Sequence, residues 1–180
     1  ESPLMDILLS PAAVAIANRH MNGALDKFPP RFVSKEAPSF SAILTLKTVV
    51  SMAQLSPDVL VAVDKELAEL EVTDADRLAR CARYDVEAPA IDIPDGKPRL
   101  LVFEKMTGFR DGPSVEAASA ALRALAEKNG WALVVTDKGG AITPEILAKF
   151  YAVIWNNVSG DVLTLSQRQV FEDYINNGGG

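Results

Sequence analysis

The feature that most constrains this chain is the run from Arg99 to Gly180, where short apolar strand segments alternate with amphipathic helical ones. Arg99-Leu100-Leu101-Val102-Phe103-Glu104 reads as a strand buried on both faces, the pattern of parallel sheets. A helix follows with Val115, Ala118, Leu122 and Leu125 as its apolar stripe, ended by Gly130. Trp131 to Thr136 is the second strand, Gly139-Gly140 a turn, and Thr143-Pro144 the start of a short helix carrying Ile146, Leu147 and Phe150. Tyr151 to Trp155 is the third strand. The last helix is predicted to open on a Ser166/Gln169 capping box with a Leu165/Val170 staple, and to close at Gly178.

Alternating strands and helices imply right-handed crossovers and a parallel sheet. The flavodoxin-like order is 2-1-3, which makes the first and third strands neighbours at the point where the winding reverses. Ligands of such sheets bind outside the carboxyl ends of the strands. Two polar loops stand there, Lys105 to Asp111 and Asn156 to Asp161, and that order turns both toward one crevice. The third strand is expected to carry an open apolar edge at Val153 and Trp155. Either the N-terminal helices cover part of the sheet or the chain self-associates as a homo-oligomer.

Residues 1–85 carry helical signals and form a region of unassigned role. Ser10-Pro11 starts a helix in which Val14, Ala17, Met21, Leu25 and Phe28 share a face, ended by Pro29-Pro30. A second helix is expected after Pro38 with Ile43, Leu46, Val50 and Ala53 on one side. A third follows Ser56-Pro57 with Leu60, Val63, Leu67 and Leu70, and a short fourth is capped by Thr73 and Asp76. Residues 86–98, with three prolines counted from Asp85 onward, read as a linker or an extended surface segment, and 99–180 as the α/β part.

Composition removes several function classes. A net charge of −6, with no basic cluster interleaved with aromatics, argues against nucleic acid or an anionic membrane surface as partner. The longest apolar run, Phe40 to Leu55, is broken by Lys47 and Gln54, so no membrane span is expected. A single cysteine, Cys81, excludes an internal disulfide and a cysteine-based metal site. Its neighbours Leu78 and Ala82 suggest a buried thiol. The first residue is Glu1, which leaves the compartment open between cytoplasm and periplasm. No phosphate loop, dinucleotide glycine pattern or zinc spacing is present, so no cofactor and no metal are expected.

Three ordered segments carry a family resemblance. They are the first strand running into Thr107-Gly108-Phe109-Arg110, the aromatic third strand ending in Asn156-Asn157-Val158-Ser159-Gly160-Asp161-Val162-Leu163, and the closing stretch Phe171 to Gly180. Over residues 98–180 the chain resembles the ThuA-like (trehalose-utilization) family of the class I glutamine-amidotransferase-like superfamily. The resemblance implies the partial flavodoxin-like sheet of that superfamily, preceded here by the helical region. It also implies a role in bacterial carbohydrate metabolism on a disaccharide or keto-sugar, with hydrolase as the favoured reaction class. The alternatives are a non-catalytic carbohydrate- or partner-binding module, or an inactive fragment. Family members commonly place a histidine where Asp111 stands, so no catalytic residue is carried over. The family's next strand and its Gly-x-His turn would follow Gly180, so the resemblance spans the first half of that domain.

The substrate-binding candidates are Thr107, Gly108, Phe109, Arg110, Asn156, Asn157 and Asp161. Backbone N–H groups where the first loop meets its helix favour an anion or a sugar oxygen, and Arg110 adds a bidentate donor. The competing reading makes Gly108 a turn, Phe109 a packing residue and Arg110 a partner of Asp111. Asn156, at the strand end, is the better ligand candidate of the second loop. Ser159 and Asp161 fit a turn with Gly160 left-handed. Glu104 is a base if burial raises its pKa, and otherwise a solvated group or a partner of Lys105 or Arg110. His20, the single histidine, reads as a surface helix residue.

Overall fold

The computed structural model describes residues 2–180 and divides into two compact units. One runs up to Arg83 and takes in Thr107–Phe109. The other is Tyr84–Met106 with Arg110–Gly180.

The first unit is helical. It contains α1 (Leu4–Leu8), α2 (Pro11–His20), α3 (Ala24–Lys27), α4 (Pro30–Val33), a 3-10 turn at Phe40–Ala42, α5 (Leu46–Met52), α6 (Asp58–Glu69) and α7 (Asp74–Cys81). Its core joins Leu4, Leu8, Ile16, Ala17, Met21, Leu46, Val49 and Val63. Ser10 caps α2, with its hydroxyl accepting from the Ala13 N–H at 3.5 Å. The helix expected to continue to Phe28 breaks after His20. Asn22 and Gly23 both take left-handed backbone there, and a residue in that conformation cannot extend a right-handed helix. The second expected helix starts late. Thr45 caps α5 through the Thr48 N–H at 3.3 Å, and this leaves Ile43 outside it and exposed. Thr73 and Asp76 form the expected capping box on α7. That helix has no buried residue, so Cys81 is exposed rather than buried and Leu78 lies open. His20 on α2 pairs through Nε2 with Glu66 of α6 at 2.8 Å, beside an Arg19–Glu66 ion pair. The His20 hydrogen bond, then the Arg19 one, hold the Glu66 carboxyl below its usual range.

The second unit is α/β. β1 (Arg99–Phe103), α8 (Gly112–Asn129), β2 (Ala132–Thr136), a 3-10 turn at Gly139–Ala141, α9 (Pro144–Leu147), β3 (Ala152–Trp155) and α10 (Leu165–Asn176) follow in order. The sheet is parallel with order β2-β1-β3, the flavodoxin-like arrangement. Residue alternation assigns the two faces. Leu101, Phe103 and Val153 join Ile142, Ile146, Leu147 and Phe150 in one core. Leu100 and Val102 are buried on the opposite face. Gly130 ends α8 in a left-handed conformation, as its position predicts.

The α10 cap lies two residues earlier than expected. Thr164 and Gln167 form the capping box, and Leu165 is 81% exposed instead of stapled. Two overlapping patterns compete there. The earlier one wins because it also buries Gln167, whose amide donates to the Asp85 carbonyl at 2.7 Å. Of the two residues expected on an open edge, Trp155 is exposed. Val153 is buried, and its N–H donates to the Gly180 carbonyl at 2.8 Å.

The segment 84–98 packs along this unit. Ile91 and Ile93 join its core, and Tyr84 donates to Asp161. Asp85 pairs with Lys105 and accepts from the Gly139 N–H at 3.2 Å. Burial alone would raise the Asp85 pKa. The Lys105 and Gly139 hydrogen bonds, with the Lys105 and Lys138 charges, outweigh it and hold the carboxyl below its usual value.

Candidate functional site

The register sets the geometry at the carboxyl edge of the sheet. Leu100 pairs with Ala152, Val102 with Ile154 and Phe103 with Trp155, which makes Glu104 and Asn156 the next pair along. The Asn156 N–H donates to the Phe103 carbonyl at 3.0 Å, and an isolated parallel bridge joins Met106 to Ser159. The loops after β1 and β3 therefore run side by side, as the 2-1-3 order requires.

Period two turns Glu104 and Asn156 to the α8 face. Asn156 is 5% exposed. Its amide nitrogen donates to Glu104 Oε1 at 2.7 Å and to the Val115 carbonyl at 3.4 Å. Its oxygen accepts from Asn157 Nδ2 at 2.7 Å. Ser119 of α8 also donates to Glu104 Oε1. One carboxylate oxygen thus ties together the ends of β1 and β3 and the second turn of α8. Asn157 is exposed, with left-handed backbone at φ 53°.

The predicted residues fall into three groups. Asn156 and Asn157 meet beside Glu104. Asp161 is half-buried and accepts from Tyr84 and Arg168, so it fastens the loop to the segment 84–98 and to α10. Gly160 has a left-handed φ of 79°, as the turn reading requires. Arg110 is exposed, and its Nη1 lies close enough to Gly112 that a Cβ there would come within 3.1 Å. It lies over the first turn of α8. Thr107, Gly108 and Phe109 belong to the helical unit. The Thr107 carbonyl accepts from the Ser39 N–H at 3.0 Å, and the Phe109 ring stacks on Phe40 with centroids 5.3 Å apart. Asp111 accepts from the Ser114 hydroxyl at 2.7 Å.

Sequence reasoning passed over Ser119 and left Glu104 unresolved. The signals lay within each element: Glu104 alternates with Phe103 along the first strand, and Ser119 follows Val115 by one helical turn.

Among the described residues, no group of three His, Cys, Asp or Glu side chains stands close enough to hold a metal ion. No helix among them is long and apolar enough to cross a membrane. The helical unit holds a separate cavity of about 690 Å³, where Ile7, Ala13, Leu60 and Leu67 form apolar walls beside Asp64 and Arg77.

Residues 99–180 match the model of a family described as ThuA, trehalose utilisation. This stretch is ThuA-like. The match begins on the first residue of β1 and takes in all three strands and α10, just under half of the chain. No curated protein and no solved structure matches. The ThuA match points to a role related to trehalose utilisation, within carbohydrate metabolism. A parallel α/β sheet preceded by a helical N-terminal region is the expected architecture.

Proposed function

We propose that the ThuA-like unit binds a disaccharide or keto-sugar at the carboxyl edge of β1 and β3, and that its reaction class is hydrolysis. The observation that carries the reading is the pairing of the two loops at the switch point of the sheet, on the stretch that matches the ThuA family. Arg110 and Asn157 are exposed there and offer donors to sugar oxygens. Asn156 serves the site from beneath, because its amide is engaged with Glu104, Val115 and Asn157. The relationship to class I glutamine-amidotransferase-like proteins belongs to the same proposal.

One observation favours a second reading, a non-catalytic carbohydrate-binding module. Asp111 stands where the family commonly has a histidine, and the single histidine of the chain, His20, lies in the helical unit.

The experiment is calorimetric titration of the full chain with trehalose, sucrose and their 3-keto forms. Binding that Arg110→Ala weakens supports the sugar site. Turnover of the bound sugar separates hydrolase from binder. Equal affinities for wild type and Arg110→Ala, or no binding of any of the four, overturn the reading.

A further inference from the structure

Asp85, Glu104 and Asp161 are the half-buried acids of the α/β unit, and every other Asp or Glu in it is exposed. Two of the three are neutralised by a cation. Asp85 pairs with Lys105, and Asp161 with Arg168. Glu104 has no Lys or Arg partner among the described residues. Its neighbours Asn156 and Ser119 are neutral donors, and both address the same oxygen, Oε1. Oε2 receives no hydrogen bond from any described residue, yet it is not among the enclosed unpartnered atoms, so it opens to solvent.

We infer that Glu104 is the ligand-contacting carboxylate of this edge, with Oε2 accepting from one or two sugar hydroxyls. The inference rests on the sugar-binding reading above and deepens it.

An ionised carboxylate is acceptor-only, with lone pairs on both oxygens. Fixing Oε1 with two donors from two different elements leaves Oε2 little freedom to move. A half-buried carboxylate oxygen served by water alone can exchange that water for a sugar hydroxyl and keep its hydrogen bond. A polyol fits the chemistry better than an anion, since an anion would meet the Glu104 charge directly. A cationic ligand fits less well, because Arg110 follows on the same edge. A purely structural bracket would need Oε1 alone.

The test is Glu104→Gln in the full chain. The amide keeps an oxygen for Asn156 and Ser119 and replaces Oε2 with an NH₂ group, so a bracket survives while the acceptor is lost. The expected result is about tenfold weaker binding of the disaccharide that wild type binds, with an unchanged unfolding midpoint. A second measurement covers a variant that folds poorly. In wild-type chain labelled with 13C at glutamate carboxyls, the Glu104 signal should shift on titration with trehalose or sucrose. Unchanged affinity in a folded Glu104→Gln chain, or an unmoved Glu104 signal at saturation, overturns the assignment. If Arg110→Ala still weakens binding in that case, the sugar site stands without Glu104. If wild type binds no disaccharide, both fall.

Discussion

The side-chain amide of Asn156 donates to Glu104 Oε1 at 2.7 Å, a side-chain bond that lies between the backbone bond from Asn156 to Phe103 and the Met106–Ser159 bridge. The pair sits just past the ends of β1 and β3, where the two loops begin. Its strength sets how firmly the two loops are held together.

Asn156→Ala removes two donors and one acceptor from a buried position, and leaves Glu104 with Ser119 alone. Loss of a buried bond to a charged group costs about 1–3 kcal/mol. Asn156→Asp should cost more near neutral pH, because it sets a second carboxylate against Glu104. Denaturant titration followed by tryptophan fluorescence reads this directly, because Trp131 and Trp155 both lie in the α/β unit. Equal stability of Asn156→Ala and wild type would contradict the role given to the pair.

Gly140 lies buried under the segment 84–98. A Cβ there would stand 1.9 Å from the Glu87 carbonyl oxygen, which is backbone and cannot rotate away. Gly140→Ala should therefore lift that segment and destabilise the unit by roughly 1–3 kcal/mol, the usual scale of overpacking. Faster proteolysis between residues 84 and 98 is the expected signature. An unchanged cleavage rate would mean the segment does not depend on this contact.

Asp85 links the same segment to Lys105 and the Gly139 N–H. Its folded pKa is depressed, so its contribution is fully present above its unfolded value, about 3.9, and is lost as the pH falls through the lower folded value. Stability of the α/β unit should decline in that acid window, and Asp85→Asn should flatten the decline. An identical acid profile for wild type and Asp85→Asn would remove Asp85 from the account.

Cys81 ends the open helix α7. It should react with a disulfide reagent in the native chain, without denaturant and to one equivalent. A thiol that reacts only after unfolding would show that α7 is covered in solution.

Much of the α/β unit could be read from the sequence because each signal was local. Strand runs, Gly130 and the Thr143-Pro144 start each specify their element without help from afar. Alternation implied a parallel sheet, and the strand order came from the flavodoxin-like arrangement common to such sheets. The α10 cap was misread because two capping patterns overlap, and the deciding bond, Gln167 to the Asp85 carbonyl, spans 82 residues. The fate of Cys81 was hidden for a similar reason, since helical spacing gives an apolar face but not whether anything packs on it. At the site, Arg110 and Asn157 were found as exposed polar residues. The engagement of Asn156 with Glu104 needed the register between β1 and β3, which no short motif encodes. Thr107 to Phe109 looked like part of the same loop and instead pack with Ser39 and Phe40.

Sugar binding at the carboxyl edge of β1 and β3 is tested most directly by amide shift mapping of the full chain during titration with trehalose, sucrose or their 3-keto forms. The expected shifts are concentrated at Glu104 to Met106, at Arg110 to Ser114 and at Asn156 to Ser159. Shifts confined to the cavity of the helical unit, at Ile7, Ala13 and Leu67, or no shifts at any sugar concentration, would contradict it.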